Sequence, residues 1–237
     1  MKLKFFALAA LMAAGSANAA IDNGNGGNGD LFFNIWDADG SYSRDLGFSI
    51  DTFQTTLAVV GSIDLSWAAD ATFTSFLAGV ADASKLKWNI MATDTSGARR
   101  VLSTYNLPEK SPTIKNDVLR TVALNTQLFV GDVNAALGAN NSVAVTSAST
   151  AWAGKNSFNE FVGKVSPNLN FSNAGTLADN NYATGLGFMR IDGAATGIAS
   201  SVYNEYSDNT VAVNAWLDGG NTLHIAAVPE PETVRAD

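Results

Sequence analysis

From residue 31 to residue 228 much of the chain is cut into short runs of aromatic and β-branched residues, closed off by clusters of Gly, Asn, Asp or Ser. Side chains of that kind suit the pleated, half-buried surface of a strand. Residues 31–36 (LFFNIW) and 42–50 flank Asp37-Ala38-Asp39-Gly40, which supplies turn conformations, so 31–50 is expected to form a hairpin. Residues 62–67 alternate Ile63, Leu65 and Trp67 against Ser62, Asp64 and Ser66, the period of a half-buried strand. Further strands are expected at 86–92 and 99–105, joined by the turn 93–97, and at 185–191, 197–206, 210–217 and 222–228. Asp218-Gly219-Gly220-Asn221 marks the last hairpin.

Two stretches change period. Phe73, Phe76, Leu77 and Val80 recur at helical spacing behind Asp70, a residue suited to capping a helix start. Residues 115–137 set Val118, Leu119, Val122, Phe129, Val133 and Leu137 on or near one face, with Gly131 weakening the last turns and Gly138 as a stop. Residues 140–184 carry little signal: the stretch is long and irregular, with room for a short helix at 157–165, where Phe158, Phe161 and Val162 are apolar. No fixed internal repeat is present. The expected fold is mainly β: an antiparallel β-sandwich-like single domain over 31–228, with two packed amphipathic helices. Cysteine is absent, so the fold must rest on its core, and thiol nucleophiles, thiolate metal sites and iron–sulfur clusters are excluded.

The two ends read as addresses. Lys2 and Lys4 precede an apolar run from Phe5 to Ala14, and Ala17-Asn18-Ala19 then places small residues where a signal peptidase accepts them. Residues 1–19 are therefore expected to be an export signal cut before Ala20, because the apolar run falls short of the ~20 residues that span a bilayer. Residues 20–30 (AIDNGNGGNGD) are rich in Gly and Asn, and a flexible lead-in is expected there.

At the other end, Val228-Pro229-Glu230-Pro231-Glu232-Thr233 resembles the sorting motif of PEP-CTERM proteins, carried by Pro229, Glu230 and Pro231. The resemblance implies a secreted protein of a Gram-negative bacterium, processed by an exosortase and tied to exopolysaccharide and biofilm. The family's membrane helix and arginine cluster do not follow here: after Thr233 stand only Val234-Arg235-Ala236-Asp237. The tail 229–237 is too short and too charged to cross a bilayer, so no membrane span is expected in the mature chain, and an extracellular or outer-surface location is.

Composition narrows the partners. The chain has a net charge of −8, and loss of the leader's two lysines makes it more acidic still. Such a surface repels nucleic acid and anionic membranes. Charged residues make up only 15%, leaving Asn, Ser, Thr and Gly to keep the exterior wet. No catalytic residue is assigned. The single histidine, His224, lies mid-strand between Leu223 and Ile225 and reads as structural. Of the few glutamates, Glu109 follows a proline, while Glu160 and Glu205 fall in expected elements. Tyr203-Asn204-Glu205-Tyr206 offers aromatic faces and a carboxylate, so Tyr203, Glu205 and Tyr206 are candidate sugar contacts. The alternative is an ordinary strand rich in a good β former.

No cofactor is assigned. Asp37, Asp39 and Ser41 space oxygens as the start of a calcium loop does, but Gly40 stands fourth in that loop and no glutamate follows at the twelfth position. Turn chemistry explains these acids, and likewise Asp192 and Asp208. The reading is a non-enzymatic secreted protein of the bacterial matrix or cell surface, whose partners are extracellular polysaccharide or further copies of itself. The alternatives are a carbohydrate-binding module and a secreted glycan hydrolase.

Overall fold

A computed structural model describes residues 20–59, 63–97, 99–106, 114–154, 173–194, 196–208 and 211–227. The leader, the expected helix at 157–165 and the Pro229–Pro231 motif lie outside the described residues.

The first hairpin forms where turn chemistry put it. Strands β1 (Asp30–Trp36) and β2 (Gly40–Ser49) pair antiparallel, and Asp37 Oδ1 accepts from the backbone N–H of Asp39 and Gly40 to tie the turn. The chain then enters a helix that the period-2 reading missed, α1 (Ile50–Val59). Its signals are local. The Ser49 hydroxyl accepts from Thr52 N–H, an N-cap bond, and Ile50, Phe53 and Leu57 sit at helical spacing on the core side. Next come β3 (Asp64–Trp67) and α2 (Ala71–Gly79); Asp70 caps the latter through Phe73 N–H, as its position suggested.

Strands β4 (Lys87–Thr93) and β5 (Arg100–Tyr105) form the second hairpin, and the long helix α3 (Asn116–Leu137) stops at Gly138, which adopts a positive φ. Gly131 is harmless within α3 because it lies on the exposed side. Strand β6 (Ser142–Thr146) and the two-residue β7 (Gly175–Thr176) emerge from the region of poor signal. The chain closes with β8 (Leu186–Asp192), β9 (Val202–Glu205), β10 (Ser207–Asp208), β11 (Val211–Ala212), β12 (Asn214–Leu217) and β13 (Leu223–Ala226). Two expected strands are thereby shortened or divided: 197–199 form a turn and bend and Ser200 makes only an isolated bridge to Lys115, and 210–217 is divided at the buried Val213.

The described residues are mainly β, with 38% strand against 25% helix. Three α-helices stand among the described residues: the two packed amphipathic helices that were expected, and α1, which was not. Among the described residues, eleven strands make one curled antiparallel sheet in the order β3-β13-β12-β8-β5-β4-β1-β2-β6, with β7 beside β4 and β9 beside β8. The curl brings the β3 end of this order back against β2: Trp67 Nε1 donates to the Leu46 carbonyl, and the Arg44 guanidinium to that of Ala68. Two layers thus face each other across one interior, although a single sheet supplies both.

Alternation sends side chains to two cores. Leu31, Phe33, Ile35, Trp88, Ile90, Leu102, Phe188, Ala215 and Ile225 point inward, where α1 and α2 add Phe53 and Phe73. Phe32, Met91, Val101, Met189 and Ile191 point outward, beneath Leu119, Val122, Phe129, Val130 and Val133 of α3. A polar thread crosses this outer face. Ser43 Oγ donates to Asn34 Oδ1 at 2.7 Å, and Asn34 Nδ2 to Asn89 Oδ1 at 3.0 Å, all three residues buried. Each bond joins adjacent strands, so the thread fixes their register.

The flexible lead-in expected at 20–30 is corrected by its packing. Ile21 is 2% exposed within the outer core, and the Asn134 side chain accepts from its N–H and donates to its carbonyl. Gly24, at φ +71°, lies so close to the β4 end that an added Cβ would stand 1.8 Å from the Thr93 carbonyl oxygen. The glycines serve close approach rather than freedom. Gly29 N–H donates to Asp94, and Asn28 accepts from Asp51 N–H at the start of α1.

Candidate functional site

The candidate sugar contacts Tyr203, Glu205 and Tyr206 are parted by the sheet. Tyr203 pairs with Ile191 and Glu205 with Met189, both of the outer core, so their side chains share the α3 side of the sheet. There they meet a residue the sequence reading did not single out. Tyr105, on β5, donates its phenol hydrogen to Glu205 Oε1, and its ring stands edge-on to Tyr203 at 6.4 Å and 81°. Gly187, the cross-strand partner of Tyr105, makes room: a Cβ there would fall 2.4 Å from the ring.

Burial, reinforced by the hydrogen bond to Glu205, pushes the Tyr105 phenol well above its ordinary range, and burial raises that of Tyr203. Both stay protonated at physiological pH. Tyr105 is 5% exposed while Glu205 is open to solvent, so the group is an accessible carboxylate backed by aromatic rings. Tyr206 does not belong to it. Its ring is buried in the inner core, edge-on to Phe53 at 5.4 Å and beside Phe188, with its hydroxyl unpartnered among the described residues. Burial pushes that phenol up as well.

A second group occupies the same side of the sheet on the last hairpin. Ser66, His224 and Trp216 are cross-strand neighbours on β3, β13 and β12. The His224 and Trp216 rings stack at 4.8 Å and 9°, and Tyr182 stands edge-on to Trp216 at 5.9 Å and 88°. His224 Nε2 lies 3.0 Å from Asp218 Oδ2. A carboxylate can only accept, so Nε2 carries the hydrogen. Burial pulls the Asp218 carboxyl up, but the N–H groups of Thr222 and Gly220 together with His224 outweigh it and hold the group below the ordinary carboxylate range.

A hydroxyl, an imidazole and a carboxylate therefore share one face, which invites comparison with a nucleophilic triad. The orientation differs from one. A ring stacked flat on Trp216 turns a face, not a nitrogen, toward the strand on its other side, where Ser66 sits. Activation of a serine hydroxyl needs the imidazole's edge. The arrangement presents aromatic surface with polar edges. Asp218 and Tyr182 escaped the sequence reading because one looked like turn chemistry and the other lay in the stretch without periodicity.

The remaining acids weighed as ligands hold backbone and side chains. Asp37 ties its turn, Asp192 accepts from Arg190 and Asn204, and the buried Asp208 accepts from Ile63 N–H. No group of three or more His, Asp or Glu placed to hold a metal ion occurs among the described residues. No helix of the described residues is long and apolar enough to cross a membrane. Glu109, Glu160, Pro229, Glu230 and Pro231 lie outside the described residues. No known family, curated protein or solved structure matches the chain.

Proposed function

We propose that this chain is a secreted, non-enzymatic protein of the bacterial extracellular matrix or cell surface that holds polysaccharide on the outer face of its sheet. The observation that carries the reading is the Tyr105–Tyr203–Glu205 group. Sugars are recognised by aromatic planes that meet their C–H faces and by carboxylates that accept from their hydroxyls, and Glu205 is exposed with two tyrosines beside it. The export signal and the resemblance to PEP-CTERM tails support the address, and the acidic, weakly charged composition supports a neutral glycan as partner.

The test is retention of the purified protein in affinity gels cast with neutral polysaccharide. The wild-type chain should be slowed. Tyr203→Ala, at a half-buried site on the outer core, and Glu205→Gln, at an exposed one, should weaken retention at least fivefold without lowering the thermal midpoint by more than about 3 °C. Equal mobility of wild type and variants across a panel of neutral glycans contradicts the reading.

A further inference from the structure

The row formed by Trp216 and His224 has an open third place. Rings standing on adjacent strands repeat at the strand spacing of about 4.8 Å, and the two rings stack at that distance, 4.8 Å. One strand further on is Ser66, partner of His224 across β3 and β13 and exposed. Its side chain is too short to fill a ring's place, and β3 is the last strand in the order, so no further strand of the described residues supplies one. The free face of His224 therefore borders a ledge one ring thick, floored by Ser66 and flanked along β3 by the exposed Asp64.

The polar edges around the ledge are set for hydroxyls. With Nε2–H given to Asp218, Nδ1 of the neutral imidazole is an acceptor that has no partner among the described residues. Ser66 can both donate and accept. Asp218 has both oxygens engaged, but a carboxylate offers about four acceptor positions, and its side chain is 36% exposed. A flat apolar face edged by acceptors fits a pyranose ring, whose axial hydrogens form an apolar face and whose equatorial hydroxyls radiate from the edge. The acidity of the chain and the two carboxylates at the ledge exclude a uronic acid or another anionic sugar.

We infer that this ledge is a second, separate sugar subsite, which stacks one neutral pyranose as the third ring of the Trp216–His224 row. It rests on the reading of the protein as a glycan binder but uses none of the residues that carry that reading.

The test is NMR titration of the folded protein with β-1,4- and α-1,4-linked glucose hexasaccharides, following the His224 ring protons and the Trp216 indole N–H. A hexasaccharide of uronic acid serves as the acidic arm. At least one neutral hexasaccharide should shift both residues saturably, and the acidic one should not. Ser66→Phe places a ring on the ledge at an exposed position of an edge strand, and His224→Ala removes the stacking face; each should weaken binding tenfold or more. Tyr203→Ala should leave these shifts intact. Three results overturn the inference: no shift with either neutral sugar up to about 10 mM, stronger binding of the acidic one, or undiminished binding to folded Ser66→Phe. Loss of polysaccharide retention by Tyr203→Ala with these shifts absent separates failure of the ledge from failure of the broader reading.

Discussion

Asp45 lies on β2 opposite Phe32, 8% exposed, with the carboxylate of Asp30 close by on β1. Burial pushes its carboxyl up to about 6, and the charge of Asp30 adds to the rise, while Gly47 N–H and Arg44 pull the other way. A group that binds its proton more tightly when folded contributes stability at low pH. That contribution is complete below the unfolded value near 4 and fades as pH rises through about 6. Asp45→Asn keeps an oxygen for Gly47 N–H and removes the charge. It should therefore stabilise the fold at pH 7.5 by on the order of 1 kcal/mol and have no such effect at pH 4. Thermal melts of both proteins at the two pH values check this. Nothing in the sequence marked Asp45, because its burial depends on how the sheet curls.

At the scale of elements, residues 20–30 show where composition misleads. A run of Gly and Asn has little to bury, but Ile21 anchors it in the outer core, and its glycines fit against the Thr93 carbonyl. The segment links α3 through Asn134, the β4–β5 turn through Asp94, and α1 through Asn28. Gly24→Ala should cost more than about 2 kcal/mol, since the added methyl meets backbone at a positive φ. Ile21→Ala should cost about 2 kcal/mol, the lower end for truncating a buried isoleucine. Urea denaturation measures both, and unchanged midpoints would return the segment to the status of a loose leader.

Arg100 supports the same junction. It donates to Asp94, which is itself buried, and to Asp51 and Gln54 of α1. Arg100→Met should cost about 3 kcal/mol by leaving Asp94 charged and unpaired, read from the same denaturation curves.

Across the whole molecule, what was legible followed the local rules. The first hairpin, the Asp70 cap, α3 and the last hairpin all announce themselves through turn residues or periodicity. Helix α1 was missed because Ile50, Thr52, Thr55 and Thr56 are β-branched and follow directly on a strand, so strand propensity masked the 50/53/57 spacing. The outer face was half legible. Tyr203 and Glu205, singled out by residue type, share that face, but Tyr206 crosses to the core, and Tyr105 joins them only because β5 and β9 flank β8. Residues so far apart in sequence meet through strand order, which short-range patterns do not encode.

Strand order also places both aromatic groups on one side of the sheet, and this is what the binding account depends on. Its most direct test is to incubate the purified mature protein with the neutral polysaccharide that retains it, measuring bound protein and newly formed reducing ends together. The account predicts saturable binding that falls at least fivefold in Tyr203→Ala and in Glu205→Gln, with no reducing ends above the protein-free control. Reducing ends that accumulate with time and vanish in Glu205→Gln or His224→Ala, with folding intact, would contradict it and make this chain a hydrolase.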